Sequence, residues 1–268
     1  MAKNTISRIY RSHEKHFIKD LKEAKDLDEQ RLHKVRVDIK NLRVLMDLKK
    51  SLSGNKNGIA SINRLLNPLF KRAGDIRSIT LNLKLTQPYQ SQVLIRYRQH
   101  LKPRQQKASN RFLSTLERFD TKRFKKQHQK TLASLSELKE KSVRKGAEEY
   151  LRILFAQIRA DIFDINDDET LHQIRKRLKS IRNVGTLLNQ MDPKHAFTEE
   201  LEKIERTYDK IGQWHDTIEL VASLEKYVED LDDAEALEKT APLILALKKK
   251  CLLNKRQIEK RLKLDLVM

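Results

Sequence analysis

The chain has 268 residues, 38% of them hydrophobic, enough to bury a core in one large domain or two modest ones. Lys and Arg outnumber Asp and Glu by 57 to 37, a formal charge of +20 that favours polyanionic partners without choosing among nucleic acid, anionic lipid and inorganic polyphosphate. Only six Gly and five Pro over this length exclude a turn-rich β architecture and predict an almost wholly helical protein, and the single Cys251 excludes an intramolecular disulfide framework.

Helical periodicity broken at Gly, Pro and Asx residues predicts helices over 3–25, 28–51, 58–84 and 89–119, then over 144–164, 167–190, 197–230 and 239–265. The fold class is therefore all-α, with two tandem four-helix bundles over 1–120 and 144–268. Residues 121–143 are polar and strongly basic and read as a connector, helical in part. Pro68 and Pro103 fall inside predicted helices and are expected to bend them, since each removes a backbone donor and crowds the preceding turn. No secretory core follows Met1, and no apolar run approaches the roughly 20 residues that span a bilayer, which predicts a cytoplasmic protein away from membranes.

One signature occurs twice. Leu32, His33, Arg36, Lys40 and Arg43 in the second predicted helix match Leu171, His172, Arg175, Lys179 and Arg182 at an offset of 139. At about 100° per residue the four polar members of each copy fall within an arc of roughly 80° and span about 15 Å, a narrow row of hydrogen-bond donors. Leu32, Val35, Ile39, Leu42 and Met46 form an apolar arc about 100° away, matched by Leu171, Ile174, Leu178, Ile181 and Gly185. The donor row thus borders the buried face, which suits a cleft lined with positive charge better than a solvated outer face. Asp28 and Asp167, each five residues before its His, are placed to cap the two helices.

A second pair of segments follows at an offset of 138: Phe70, Arg72, Gly74 and Arg77 correspond to Tyr208, Lys210, Gly212 and His215. Two motifs kept in register argue for tandem repeats of one helical unit. The sequence resembles the CHAD family, the conserved histidine α-helical domains, whose hallmark Leu-His-x-x-Arg-x-x-x-Lys/Arg-x-Leu-Arg stands intact in both halves. The family's second hallmark, Gly-x-x-Arg/His-Asp, is complete as Gly212, His215 and Asp216 but reads Gly74, Arg77 and Ser78 in the first half. The resemblance implies two bundles related by an approximate two-fold pseudosymmetry axis. It also implies binding of inorganic polyphosphate by basic residues on a central surface, with association to polyphosphate granules. The Glu-x-Glu-x-Lys signature of the triphosphate-cleaving domain often attached to CHAD domains is absent from this sequence.

Arg grips phosphate oxygens through a planar fork and Lys supplies a mobile point charge, so Arg36, Lys40, Arg43, Arg175, Lys179 and Arg182 are the foremost candidate ligands. His33 and His172 can donate to phosphate and gain charge beside a polyanion; packing at a helix junction is their alternative role. Arg72, Arg77, Lys210 and His215 follow from the neighbouring motif, and Arg104 with Arg111 and Lys248 with Lys255 from seven-residue spacing on the fourth helices. Trp214 and the Phe and Tyr residues occupy apolar positions and read as core. The acidic run Glu229, Asp230, Asp232, Asp233 and Glu235 reads as a solvated turn between helices.

No cofactor is expected. His13 and His16 are three apart with no third ligand near them, so no metal site is expected either. A Gly-rich phosphate loop, a paired-carboxylate metal signature and a recognisable nucleophile motif are all absent from the sequence, so a non-enzymatic role is expected, and the CHAD resemblance implies that this role is binding of inorganic polyphosphate. The alternative is a helical nucleic-acid binder, weakened by an aromatic content of only 6% committed to the core. Nothing in the sequence identifies a protein partner.

Overall fold

In the computed structural model the described residues are 4–53, 59–163, 165, 167–192 and 198–266, and among them the chain is all-helical, without strands. Nine α-helices follow one another: α1 Thr5–Glu23, α2 Glu29–Ser53, α3 Ile59–Thr86, α4 Gln92–Glu117, α5 Thr121–Ser136, α6 Glu140–Phe163, α7 Asp168–Met191, α8 Thr198–Leu231 and α9 Ala234–Leu266. Eight lie where helical periodicity predicted them. The additional one, α5, forms within the basic connector.

Alpha5 forms because Phe124, His128, Thr131, Leu132 and Leu135 recur at helical spacing and bury one face, while Lys and Arg fill the solvated remainder. It packs on α1, where Phe17 meets the Phe124 ring at 5.1 Å and Tyr10 stacks on His128 at 4.1 Å. Asn4 then joins the two helices: its Oδ1 accepts from the Ser7 amide, capping α1, while its Nδ2 donates to the Leu135 and Leu138 carbonyls at 2.6 Å. Asp120 caps α5 by accepting from the Arg123 amide at 2.8 Å.

Both signature helices start as their sequences foretold. The Asp28 carboxylate accepts from the Arg31 amide at 3.0 Å, and Asp167 accepts from the Thr170 amide at 2.7 Å. Leu27, left-handed at φ 58°, turns the chain from a short 3-10 segment into α2. The apolar arc of α2 is buried throughout, from Leu32 to Met46, as are Leu171, Ile174, Leu178 and Ile181 of α7. Each fully buried Leu or Ile contributes about 1.5–3 kcal/mol over its exposed state, so this pattern fixes helix rotation and with it the direction of the adjoining basic row.

Contacts group the chain into two compact units, and each draws on both halves of the sequence. The first comprises 1–77, 108–157 and 179–202, the second 78–107, 158–178 and 203–268. In the first, Ile39, Leu42, Leu66, Phe112, Phe124 and Ile181 are fully or almost fully buried. In the second, Tyr97 lies at the centre of a cluster with Leu101, Leu224, Tyr227 and Leu247; its hydroxyl donates to Ser223 Oγ at 2.8 Å and accepts from Asn82 at 3.2 Å. Pro68, Pro103 and Pro242 stand within α3, α4 and α9.

Candidate functional site

In the first unit, His33 on α2 lies among cations from three helices. Burial holds its imidazole pKa below the ordinary value, and the charges of Arg77, Lys40, Arg36 and Lys179 push it the same way. No carboxylate figures among those influences. Arg77 comes from α3 and Lys179 from α7, so both signature helices furnish charge to one locality. Asn183 of α7 donates to Asn41 of α2 at 3.0 Å and fixes that approach. Lys179 is 9% exposed, an unusual state for a lysine and a sign that its charge belongs to a built arrangement.

Arg36 is seated rather than free. Its Nη1 donates to the Phe70 carbonyl at 2.7 Å and its guanidinium carbon lies 4.2 Å from the Phe70 ring centre. A Cβ built on Gly74 would stand 2.5 Å from that same Nη1, so only glycine leaves room for the guanidinium here. Phe70 also carries Arg43 at 4.5 Å and Lys40 at 5.8 Å. Arg43 further donates to Asn67 at 2.7 Å, and burial lowers its pKa against the opposing pull of Asp47. One aromatic ring thus orders the cations of the donor row.

The second unit repeats the seat. Arg175 lies 4.5 Å over the Tyr208 ring, and a Cβ on Gly212 would stand 3.1 Å from its Nη2. His172 meets His215 with ring centres 5.4 Å apart, uniting the histidines of the two hallmarks. The His172 pKa is lowered by burial first, then by Lys176, His215 and Arg175, with Glu169 opposing. Among the described residues, buried Arg175 Nε and His172 Nδ1 have no hydrogen-bond partner.

The remaining sequence candidates separate by their partners. Arg72 pairs with Asp75 at 3.3 Å, Lys248 with Glu225 at 2.5 Å and Lys255 with Asp168 at 3.1 Å. Arg104 lies 3.3 Å from His100, Arg111 and Lys210 are exposed, and Arg182 is half-buried on α7. Sequence reasoning assigned Phe70 and Tyr208 to the core; the structure gives both a role in carrying guanidinium groups. The available signal was their position four residues before a conserved-spacing glycine in each repeat, which aligns ring and notch on one helix face. Trp214, by contrast, is core at 2% exposure.

The sequence model of the CHAD domain matches residues 8–225. The chain belongs to the CHAD family. A crystal structure of the CHAD domain from the plant Ricinus communis is similar to it with a TM-score of 0.70 at 13% identity, covering 99% of this chain and 92% of that one. At such low identity the likeness establishes a shared CHAD fold. No curated protein matches the chain. Among the described residues this CHAD chain shows no group of three or more His, Cys, Asp or Glu side chains able to hold a metal, and no helix long and apolar enough to cross a membrane.

Proposed function

We propose that this CHAD protein binds inorganic polyphosphate without enzymatic turnover, through the basic row of the duplicated signature. The observation that carries the reading is the surrounding of His33: Arg36, Lys40, Arg77 and Lys179, drawn from three helices, act on it together. Like charges gathered in one place repel one another, and a bound anion relieves that repulsion. Guanidinium groups seated over Phe70 and Tyr208 keep planar donor forks at the site, which suits repeated bidentate contact with phosphoryl oxygens.

The proposed ligands are His33, Arg36, Lys40, Arg43, Arg77, Lys179 and Arg182, with His172, Arg175, Lys210 and His215. Arg72, Arg104, Arg111, Lys248 and Lys255 stand as outer contacts, since several must first leave a carboxylate. The register of the two motifs supports an origin in two tandem four-helix halves, 1–120 and 144–268, joined by 121–143 and related by pseudosymmetry. Function in the cytoplasm, at polyphosphate granules, follows from this reading as part of the proposal.

Titration with polyphosphates of increasing length tests it. Affinity should rise with chain length, and neutralising Arg36, Lys40, Arg175 and Lys179 should abolish tight binding. If about eight phosphates are neutralised, log affinity against log salt should have a slope of about −5. A slope near zero, or equal displacement of a labelled oligonucleotide by DNA and by polyphosphate at matched phosphate concentration, would remove the polyphosphate reading in favour of a neutral or nucleic-acid ligand.

A further inference from the structure

A separate trough runs along α1. Arg11, Lys15, Ile18, Lys19 and Lys22 recur at helical spacing on one stripe of that helix, and with Lys125, Gln129 and Leu132 of α5 they line a cavity of about 760 Å³. A second cavity of about 400 Å³ shares Ile18 and Lys22 with the first and is walled by Leu21, Leu113, Leu116 and Phe119 together with Lys25, Glu117 and Thr121. The trough is therefore rich in lysine and arginine, with two carboxylates among them, and gathers its apolar side chains mostly at one end. Arg11, Lys15, Lys19, Lys22 and Lys125 make no ion pair among the described residues; two carboxylates, Glu14 and Glu23, also line the trough, and Glu14 lies 3.0 Å from His128 Nε2. A bare phosphate polymer has no use for the apolar end. An acidic protein segment bearing leucines fits both parts.

The chain itself carries such a segment at the corner between α8 and α9. Glu229, Asp230 and Asp232 are exposed and make no ion pair among the described residues, while Leu231 and Leu237 beside them are 39% and 55% exposed. The corner is shaped by Asp232 at φ 48° and by Asp233, whose carboxylate accepts from the Glu235 and Ala236 amides. We propose that the α1 trough receives the acidic α8–α9 corner of a second copy, its carboxylates on the lysine row and its leucines toward the apolar end. Trough and corner are different surfaces, so the contact is heterologous and generates head-to-tail chains or rings. The overall charge of +20 opposes it, but at physiological ionic strength screening over about 8 Å leaves local complementarity to decide.

The full chain, free of polyphosphate, is measured by sedimentation velocity over a wide concentration range at physiological salt. Wild type should grow in mean mass with concentration. Lys15→Glu/Lys19→Glu/Lys125→Glu and, separately, Glu229→Lys/Asp230→Lys should each weaken association by about tenfold or more, all five positions being exposed. Mixing the two variants should restore it, because each then offers the other a complementary surface. A wild type that stays monomeric throughout, association that survives both reversals, or no recovery on mixing overturns the proposal. Loss of polyphosphate affinity in the trough variant would also overturn it, by making the trough part of the phosphate path. The sedimentation outcomes do not depend on whether the signature row binds polyphosphate.

Discussion

The seats of Arg36 and Arg175 share a plan and differ in tightness. In the first unit a virtual Cβ on Gly74 lies 2.5 Å from the guanidinium, the Phe70 carbonyl accepts a 2.7 Å hydrogen bond, and the ring below gathers three cations. In the second unit the gap is 3.1 Å, Arg175 lies over Tyr208, and Glu169 sits near His172 with opposing charge. The comparison teaches that a duplicated motif can retain its geometry while its charge environment diverges. The first copy has the denser positive field, the second a histidine pair and unfilled donors.

That difference is open to measurement. The largest effect is expected for Arg36→Ala with Lys40→Ala, which should weaken polyphosphate binding about 100-fold, against about tenfold for Arg175→Ala, from the strength of charge-assisted hydrogen bonds. Equal losses, read by isothermal titration, would mean the two seats grip alike. Gly74→Ala should come next: the added methyl displaces the Arg36 guanidinium and costs roughly tenfold in affinity, while the melting temperature holds or rises because Ala favours the helix by about 0.5–1 kcal/mol. Gly212→Ala, with more room, should cost roughly threefold on the same physical ground of side-chain displacement.

Acidity sharpens the contrast further. The His33 and His172 pKa values lie below the ordinary value of about 6.5 in the free protein, and a bound polyanion raises them, so binding takes up protons. Affinity should therefore increase severalfold as pH falls through the histidine range, and His33→Gln with His172→Gln should flatten the profile. The smallest effect concerns stability alone. The buried Asp38 carboxyl is pushed up by desolvation and by Asp20, so its contribution is present at low pH and lost as pH rises through its folded value. Asp38→Asn should raise the melting temperature by about 2 °C at pH 8, for a gain on the order of 1 kcal/mol, and change little at pH 5.

The helical class, the two Asp caps and the buried arc from Leu32 to Met46 were legible because each depends on local spacing that tertiary contacts reinforce. Alpha5 was less so. Its apolar face is carried by Phe124, Leu132 and Leu135 with a buried His128 and Thr131, and the surrounding Lys and Arg mask the period. The seats of Arg36 and Arg175 depend on which helix lies opposite the signature, information that spacing within one helix does not contain. Phe70 at an apolar helical position reads as core until a neighbouring guanidinium is seen above it. For the same reason the carboxylates beside Lys248 and Lys255, supplied by α8 and α7, were invisible to spacing.

Gly74 has a consequence for the thermodynamics of association. An arginine normally surrenders much of its rotamer freedom when it grasps an anion, a loss of up to about 2 kcal/mol. Arg36 has already surrendered it during folding, because the notch, the carbonyl and the ring leave one resting place for its head group. On the proposed reading a polyanion would meet a hand held open, the entropic toll of closing it having been met when the helices packed.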